Sequence, residues 1–142
     1  MNFTSEEIGL RQDTLPNELW KIYPKAKRYY ISNLGRLYTT NWKGGKFGKL
    51  ITPSKDSHGY LRTVFVIDGK NHTIKVHRIV AQTWIANPLN KPQVNHINSI
   101  RHDNRVVNLD WVTISENCKH GFKFGAIKLG NQLGSNNTMS KL

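Results

Sequence analysis

One cysteine, few acids and no long apolar run set the first limits on this sequence. Cys118 alone excludes an intramolecular disulfide and a Cys-x-x-Cys zinc clip, and it reads as a small packing residue on a helix. No apolar stretch approaches membrane-spanning length, and the N-terminus lacks a basic-then-apolar signal pattern. The expectation is a soluble, cytoplasmic protein with no membrane partner. Acids are scarce: Asp and Glu number 9 against 21 Lys and Arg, a net charge of +12 over 142 residues. The imbalance is uneven. Residues 1–20 hold four acids (Glu6, Glu7, Asp13, Glu18) against one base, Arg11, while the remainder holds twenty bases against five acids. A basic body interleaved with aromatics is an electrostatic footprint for nucleic acid. The length fits one domain or two small modules sharing a core.

Along the chain, residues 1–19 form an acidic lead-in that reads either as a short helix opening at Thr4-Ser5-Glu6-Glu7 or as a mobile segment. Residues 20–75 change character. The runs around Tyr29-Tyr30-Ile31-Ser32 and Arg36-Leu37-Tyr38 flank Asn33-Leu34-Gly35 and predict two strands with a tight turn, where Gly35 takes a positive φ. Lys43, Lys46 and Lys49 surround glycines in a flexible basic loop. Gly59 to Ile67 is the clearest strand, and Asp68-Gly69 predicts a hairpin returning from Asn71 to Val76. Apolar residues at Ile79, Val80, Ala81, Trp84 and Ile85 predict a helix over 77–85 that Pro88 and Pro92 close. His72 and His77 read as structural histidines rather than ligands. From Phe122 the composition turns to Gly, Asn, Ser and Lys, predicting a flexible tail over 122–142 in which Lys123, Lys128 and Lys141 are candidate phosphate contacts.

The chemistry concentrates between Val94 and His120. Val94-Asn95-His96-Ile97 reads as the end of a strand. Leu109 to Thr113 reads as a second strand, and Thr113 or Ser115 caps a short helix carrying Asn117, Cys118 and His120. The order Val76-His77-Arg78-Ile79-Val80-Ala81, Pro92-Gln93-Val94-Asn95-His96, Asn104-Arg105, Asn108-Leu109-Asp110-Trp111-Val112-Thr113 resembles the HNH nuclease family, in the branch of phage and intron-encoded homing endonucleases. Upstream, Trp20, Ile31-Ser32-Asn33-Leu34-Gly35-Arg36, Leu50-Ile51-Thr52-Pro53 and His58-Gly59-Tyr60-Leu61-Arg62 resemble the NUMOD-type module found ahead of such domains. Gly134 to Leu142 resembles the linker that precedes a helical DNA-reading module in relatives.

The resemblance implies an α+β fold: a small antiparallel sheet module over 20–75, then a ββα-metal (His-Me finger) nuclease core over 76–121. It implies a metal-dependent DNA endonuclease in a phage-infected or bacterial host cell, acting on double-stranded DNA as a monomer or homodimer without a small-molecule cofactor. His96 is the implied general base, oriented by Asn108. Asn95 and Asn117 are implied ligands of a divalent cation, with His120 an additional one. Arg36, Lys43, Lys46, Lys49, Lys55, Arg62, Arg78, Arg101, Arg105 and Lys119 are the implied DNA contacts. Many family members have aspartate where this chain has Asn95. An amide holds Mg2+ more weakly than a carboxylate, so Mg2+ is the expected ion with Mn2+ or Zn2+ as alternatives. The rival reading is a DNA-binding protein that kept the fold without the activity. RNA binding is a third, disfavoured by the lack of an RNP-type stacking motif.

Overall fold

The computed structural model describes residues 2–10, 14–40 and 48–118. Among these residues, ten strands form three antiparallel sheets around a central helix. The first sheet is a meander of β1 (Phe3–Thr4), β2 (Leu19–Ile22), β3 (Tyr29–Ser32), β4 (Leu37–Thr39) and β5 (Lys49–Ile51). The second comprises β6 (Ser54–Lys55), β7 (Leu61–Ile67) and β8 (Lys70–Lys75). The third is the pair β9 (Gln93–His96) and β10 (Leu109–Val112). Two of the turns form for the reasons their residues suggest. Gly35 adopts φ +87° between β3 and β4, and Asp68-Gly69 turn β7 into β8 with φ of 52° and 76°.

Helix α1 (Val76–Trp84) follows β8 without a loop, and its fully buried Val76, Ile79, Val80 and Ala81 face all three sheets. Each such aliphatic side chain contributes about 1.5–3 kcal/mol of burial, with Ala81 contributing less. Around α1 lies one core built from Tyr23, Tyr29, Ile31, Leu37, Phe65, Val94 and Leu109. Polar atoms tie the layers together. Tyr29 stacks on Phe65 at 3.8 Å while its hydroxyl accepts the Val66 N–H at 2.8 Å, joining the first two sheets. Trp84 Nε1 donates to the Ile31 carbonyl at 2.9 Å, and Trp111 Nε1 to the Ile85 carbonyl at 3.0 Å, fastening both ends of the molecule to the end of α1. The sheets therefore share a core with the β9–β10 unit.

The N-terminal residues are neither a helix nor a loose lead-in. Thr4 and Glu7 do exchange capping bonds, Thr4 N to Glu7 Oε1 at 2.8 Å and Glu7 N to Thr4 Oγ1 at 3.3 Å. Residues 5–9 nevertheless make only turns, and Gly9 leaves them at φ +91°. Ile8 and Leu10 instead bury against Trp20 and Tyr38 in a second small core, with β1 paired to β2. The tail over 122–142 lies outside the described residues.

Candidate active site

Strand β9 delivers Asn95 and His96 to one end of the ribbon, registered against β10 so that His96 faces Leu109 and Asn95 faces Asp110. Alternation puts the two side chains on opposite faces. His96 shares its face with Val94 and Leu109 and is 6% exposed. Its ring packs 4.8 Å from His77 and 5.9 Å from Tyr60, centroid to centroid. His96 Nε2 bonds Asn104 Oδ1 at 2.8 Å. An oxygen facing the ring makes Nε2 the protonated nitrogen and leaves Nδ1 with its lone pair. Burial pushes the His96 imidazolium below its ordinary pKa, a trend that the Asn104 bond opposes, so the ring is a neutral base at neutral pH.

Asn104, not Asn108, holds the ring. Asn108 Oδ1 accepts the Asn98 N–H at 3.0 Å, and its Nδ2 donates to Asn98 Oδ1 at 2.9 Å and to the Asp103 carbonyl at 2.8 Å. Its amide is saturated by the 98–103 loop, so the expected bond to His96 is replaced by an indirect role. Asn108 fixes the loop that carries Asn104. Asp103 tightens the same loop, accepting from Asn98 Nδ2 and from Arg105 Nε and Nη2, all at 2.8 Å. Those Arg105 bonds hold the Asp103 carboxyl well below its usual range, at about 2. From the other side, the Asn33 carbonyl accepts the Val106 N–H at 2.9 Å. A Cβ on Gly35 would come 2.7 Å from the Asn104 carbonyl oxygen. The β3–β4 turn thus needs glycine twice, for its φ and for the close approach of the active-site loop.

His77 is a neighbour that sequence reading left among the structural histidines. Burial first, then His96, Lys75 and Arg78, drive its pKa down to about 3, so it stays neutral beside His96. Its Nδ1 is buried without a partner. Tyr60 stacks on His77 at 5.2 Å and lies between Lys75 and Arg101, 4.6 and 5.0 Å from its ring centre. Tyr60, Gln93 and Asn104 all lie within the motifs that carry the resemblance, but no role follows for them from the sequence.

On the opposite face, Asn117 is placed by a helix that begins at residue 114. Thr113 caps it in a reciprocal box with Glu116, at 2.8 and 3.1 Å. Lys91 adds an ion pair to Glu116 at 3.0 Å. Asn117 Nδ2 donates to Gln93 Oε1 at 2.9 Å, which keeps Asn117 Oδ1 as an acceptor. Gln93 alternates onto the same face as Asn95, and the Asn95 amide makes no hydrogen bond among the described residues. Two amide oxygens thus stand available to a hard cation. No group of three His, Cys, Asp or Glu side chains suited to a metal occurs among the described residues. His120 lies outside them.

The expected DNA contacts divide. Lys55 and Arg62 are exposed on β6 and β7, and Lys49 is exposed on β5. Arg36 is instead a structural cation: its Nε and Nη2 hold the fully buried Glu18 carboxylate at 2.9 and 2.6 Å. Arg78 donates to the Pro92 carbonyl at 3.1 Å and Arg101 to the His58 carbonyl at 2.6 Å, which braces the 56–60 turn against the active-site loop. Arg105 is paired with Asp103 yet half exposed. Lys43, Lys46 and Lys119 lie outside the described residues.

No family model matches the chain. It is similar to uncharacterized HNH endonuclease L245 of Acanthamoeba polyphaga mimivirus, 36% identical over 95 residues, covering 67% of this chain and 27% of that protein. L247 of the same virus, also an uncharacterized HNH endonuclease, is 38% identical over 116 residues, covering 73% and 26%. The chain thus spans about a quarter of the length of these relatives. Among solved structures it is similar to the HNH homing endonuclease I-HmuI of Bacillus phage SP01, in a structure described as showing DNA binding and cleavage. The TM-score is 0.64 with 27% identity, over 82% of this chain and 62% of that one. No helix among the described residues is long and apolar enough to cross a membrane.

Proposed function

We propose that this chain, which belongs to the HNH endonuclease family, is a divalent-metal-dependent endonuclease that hydrolyses double-stranded DNA. One observation carries the reading: a buried, neutral His96 whose Nε2 is taken by Asn104 and whose Nδ1 remains a proton acceptor. Adjacent to it, Asn95 leaves the strand on the other face. A phosphate seated over the end of β9 then has a base on one side and cation ligands on the other, as in-line displacement requires. His96 Nδ1 takes the proton of the attacking water, the bond from phosphorus to the 3′ oxygen breaks, and that oxygen takes a proton from solvent, leaving 5′-phosphate and 3′-hydroxyl ends.

The residues present fit a hard cation: amide oxygens of Asn95 and Asn117, one unbonded and one kept as an acceptor by Gln93. Bound there, Mg2+ supplies charge stabilisation to the phosphoryl and leaving oxygens. The exposed Arg62 and Lys75, opposite each other across β7 and β8, give one face of this sheet a basic patch for the DNA backbone, and Lys55 is exposed at its β6 edge. One such site cuts one strand, so a monomer nicks, and a double-strand break needs a homodimer or two events.

Supercoiled plasmid incubated with Mg2+, with Mn2+ or with EDTA tests the proposal. Nicked circles that appear with metal and not with EDTA are the expected outcome. Binding of the plasmid without cleavage in either metal would favour the rival, a DNA-binding protein that lost its activity with the acid at position 95.

A further inference from the structure

The two proposed cation ligands are both neutral, and the register of the ribbon places a carboxylate opposite the first of them, Asn95. Asp110 lies directly opposite Asn95. The Ile97 N–H bonds the Asn108 carbonyl at 2.8 Å, which marks 97 and 108 as a hydrogen-bonded pair. By alternation 95 and 110 are the next such pair, with Cα atoms about 5.5 Å apart and side chains on one face. That face also carries Gln93, to which Asn117 is fastened.

Asp110 is exposed and takes part in no hydrogen bond or ion pair among the described residues. Glu6 and Asp68 likewise have no side-chain partner among the described residues, but neither lies on the ribbon that carries Asn95 and Gln93. An unpaired carboxylate on the face that must accept a phosphate would repel it unless a cation lies between them.

We propose that Asp110 is the anionic ligand of the cation held by Asn95 and Asn117. It would take the part of the aspartate that many family members place directly before the histidine, from the facing strand. This rests on the nuclease reading, to which it adds the source of the site's negative charge. A carboxylate and two amide oxygens on one face form a hard, singly charged donor set suited to Mg2+ or Mn2+.

The test is Mn2+ binding by the full chain without DNA, with free Mn2+ followed by electron paramagnetic resonance. Asp110→Asn is expected to weaken binding at least about tenfold, and adding Asn95→Asp to that variant to restore it. Melting temperatures without metal should match the wild type, because the Asp110 side chain holds nothing. Wild-type affinity in Asp110→Asn, with binding lost in Asn117→Ala, would overturn the role of Asp110 alone. Failure of the wild type to bind Mn2+ would also overturn it, since a carboxylate with two amides needs no DNA to hold an ion. Plasmid nicking then decides separately whether the nuclease reading survives.

Discussion

Replacing Asn104 with alanine isolates the orientation of the base from everything that touches DNA. The bond from His96 Nε2 to Asn104 Oδ1 is 2.8 Å long, and both residues are buried, at 6% and 4% exposure. Its loss strands a buried N–H, a penalty of about 1–3 kcal/mol. Part of that is offset because Asn104 Nδ2 is itself buried without a partner and disappears with the side chain. The net effect on Tm should be a fall of about 3–10 °C. The effect on rate is separate: without the oxygen, Nε2 and Nδ1 compete for the proton, and 1.4–2.7 kcal/mol of lost orientation corresponds to about ten- to a hundredfold slower cleavage. Single-turnover nicking under saturating protein reads that rate, and nitrogen-15 shifts of the ring read the tautomer without DNA. Plasmid affinity should stay unchanged, because Asn104 lies beneath the surface. A rate within twofold of wild type, with Nε2 still protonated, would refute the assignment of Asn104 as the orienting residue.

Other consequences follow from the same loop. Asn108→Ala removes three hydrogen bonds from the 98–103 loop and should lower stability by about 1–3 kcal/mol, measured by urea unfolding. Gly35→Ala forces a Cβ to 2.7 Å from the Asn104 carbonyl at φ +87°. It should lower both Tm and nicking rate, whereas an effect on Tm alone would uncouple the turn from the site. Asp103, held at about 2 against an ordinary 3.8, contributes stability that is full above about pH 4 and is lost as pH falls through about 2. Acid unfolding of Asp103→Asn should lack that component.

Local signals made much of this architecture legible. Asp68-Gly69 announces a hairpin, the apolar spacing over 77–85 announces α1, and the motif from Asn95 to Asn117 announces the ribbon and the following helix. What the sequence hid was contact between distant segments. Thr4 and Glu7 form the capping box that their spacing suggests, yet no helix follows. Ile8 and Leu10 gain more from burial against Trp20 and Tyr38 than a short isolated helix would provide. Arg36 resembled a DNA contact because Glu18, eighteen residues earlier in the acidic segment, gave no sign of pairing with it. His77 lies nineteen residues before His96, and only the packing of α1 under β9 brings their rings to 4.8 Å. The resemblance gives the ring to Asn108, whereas in the structure it is bonded by Asn104. Both lie within the motif, and which amide reaches the imidazole depends on how the 97–105 loop folds back.

The central claim is that His96 is the general base, and the rate of metal-dependent nicking by His96→Ala tests it most directly. Single-turnover cleavage of supercoiled plasmid in Mn2+ should fall by about a hundred- to ten-thousandfold against wild type, with plasmid binding retained. Cleavage by His96→Ala within tenfold of the wild-type rate would contradict the account and move the base elsewhere.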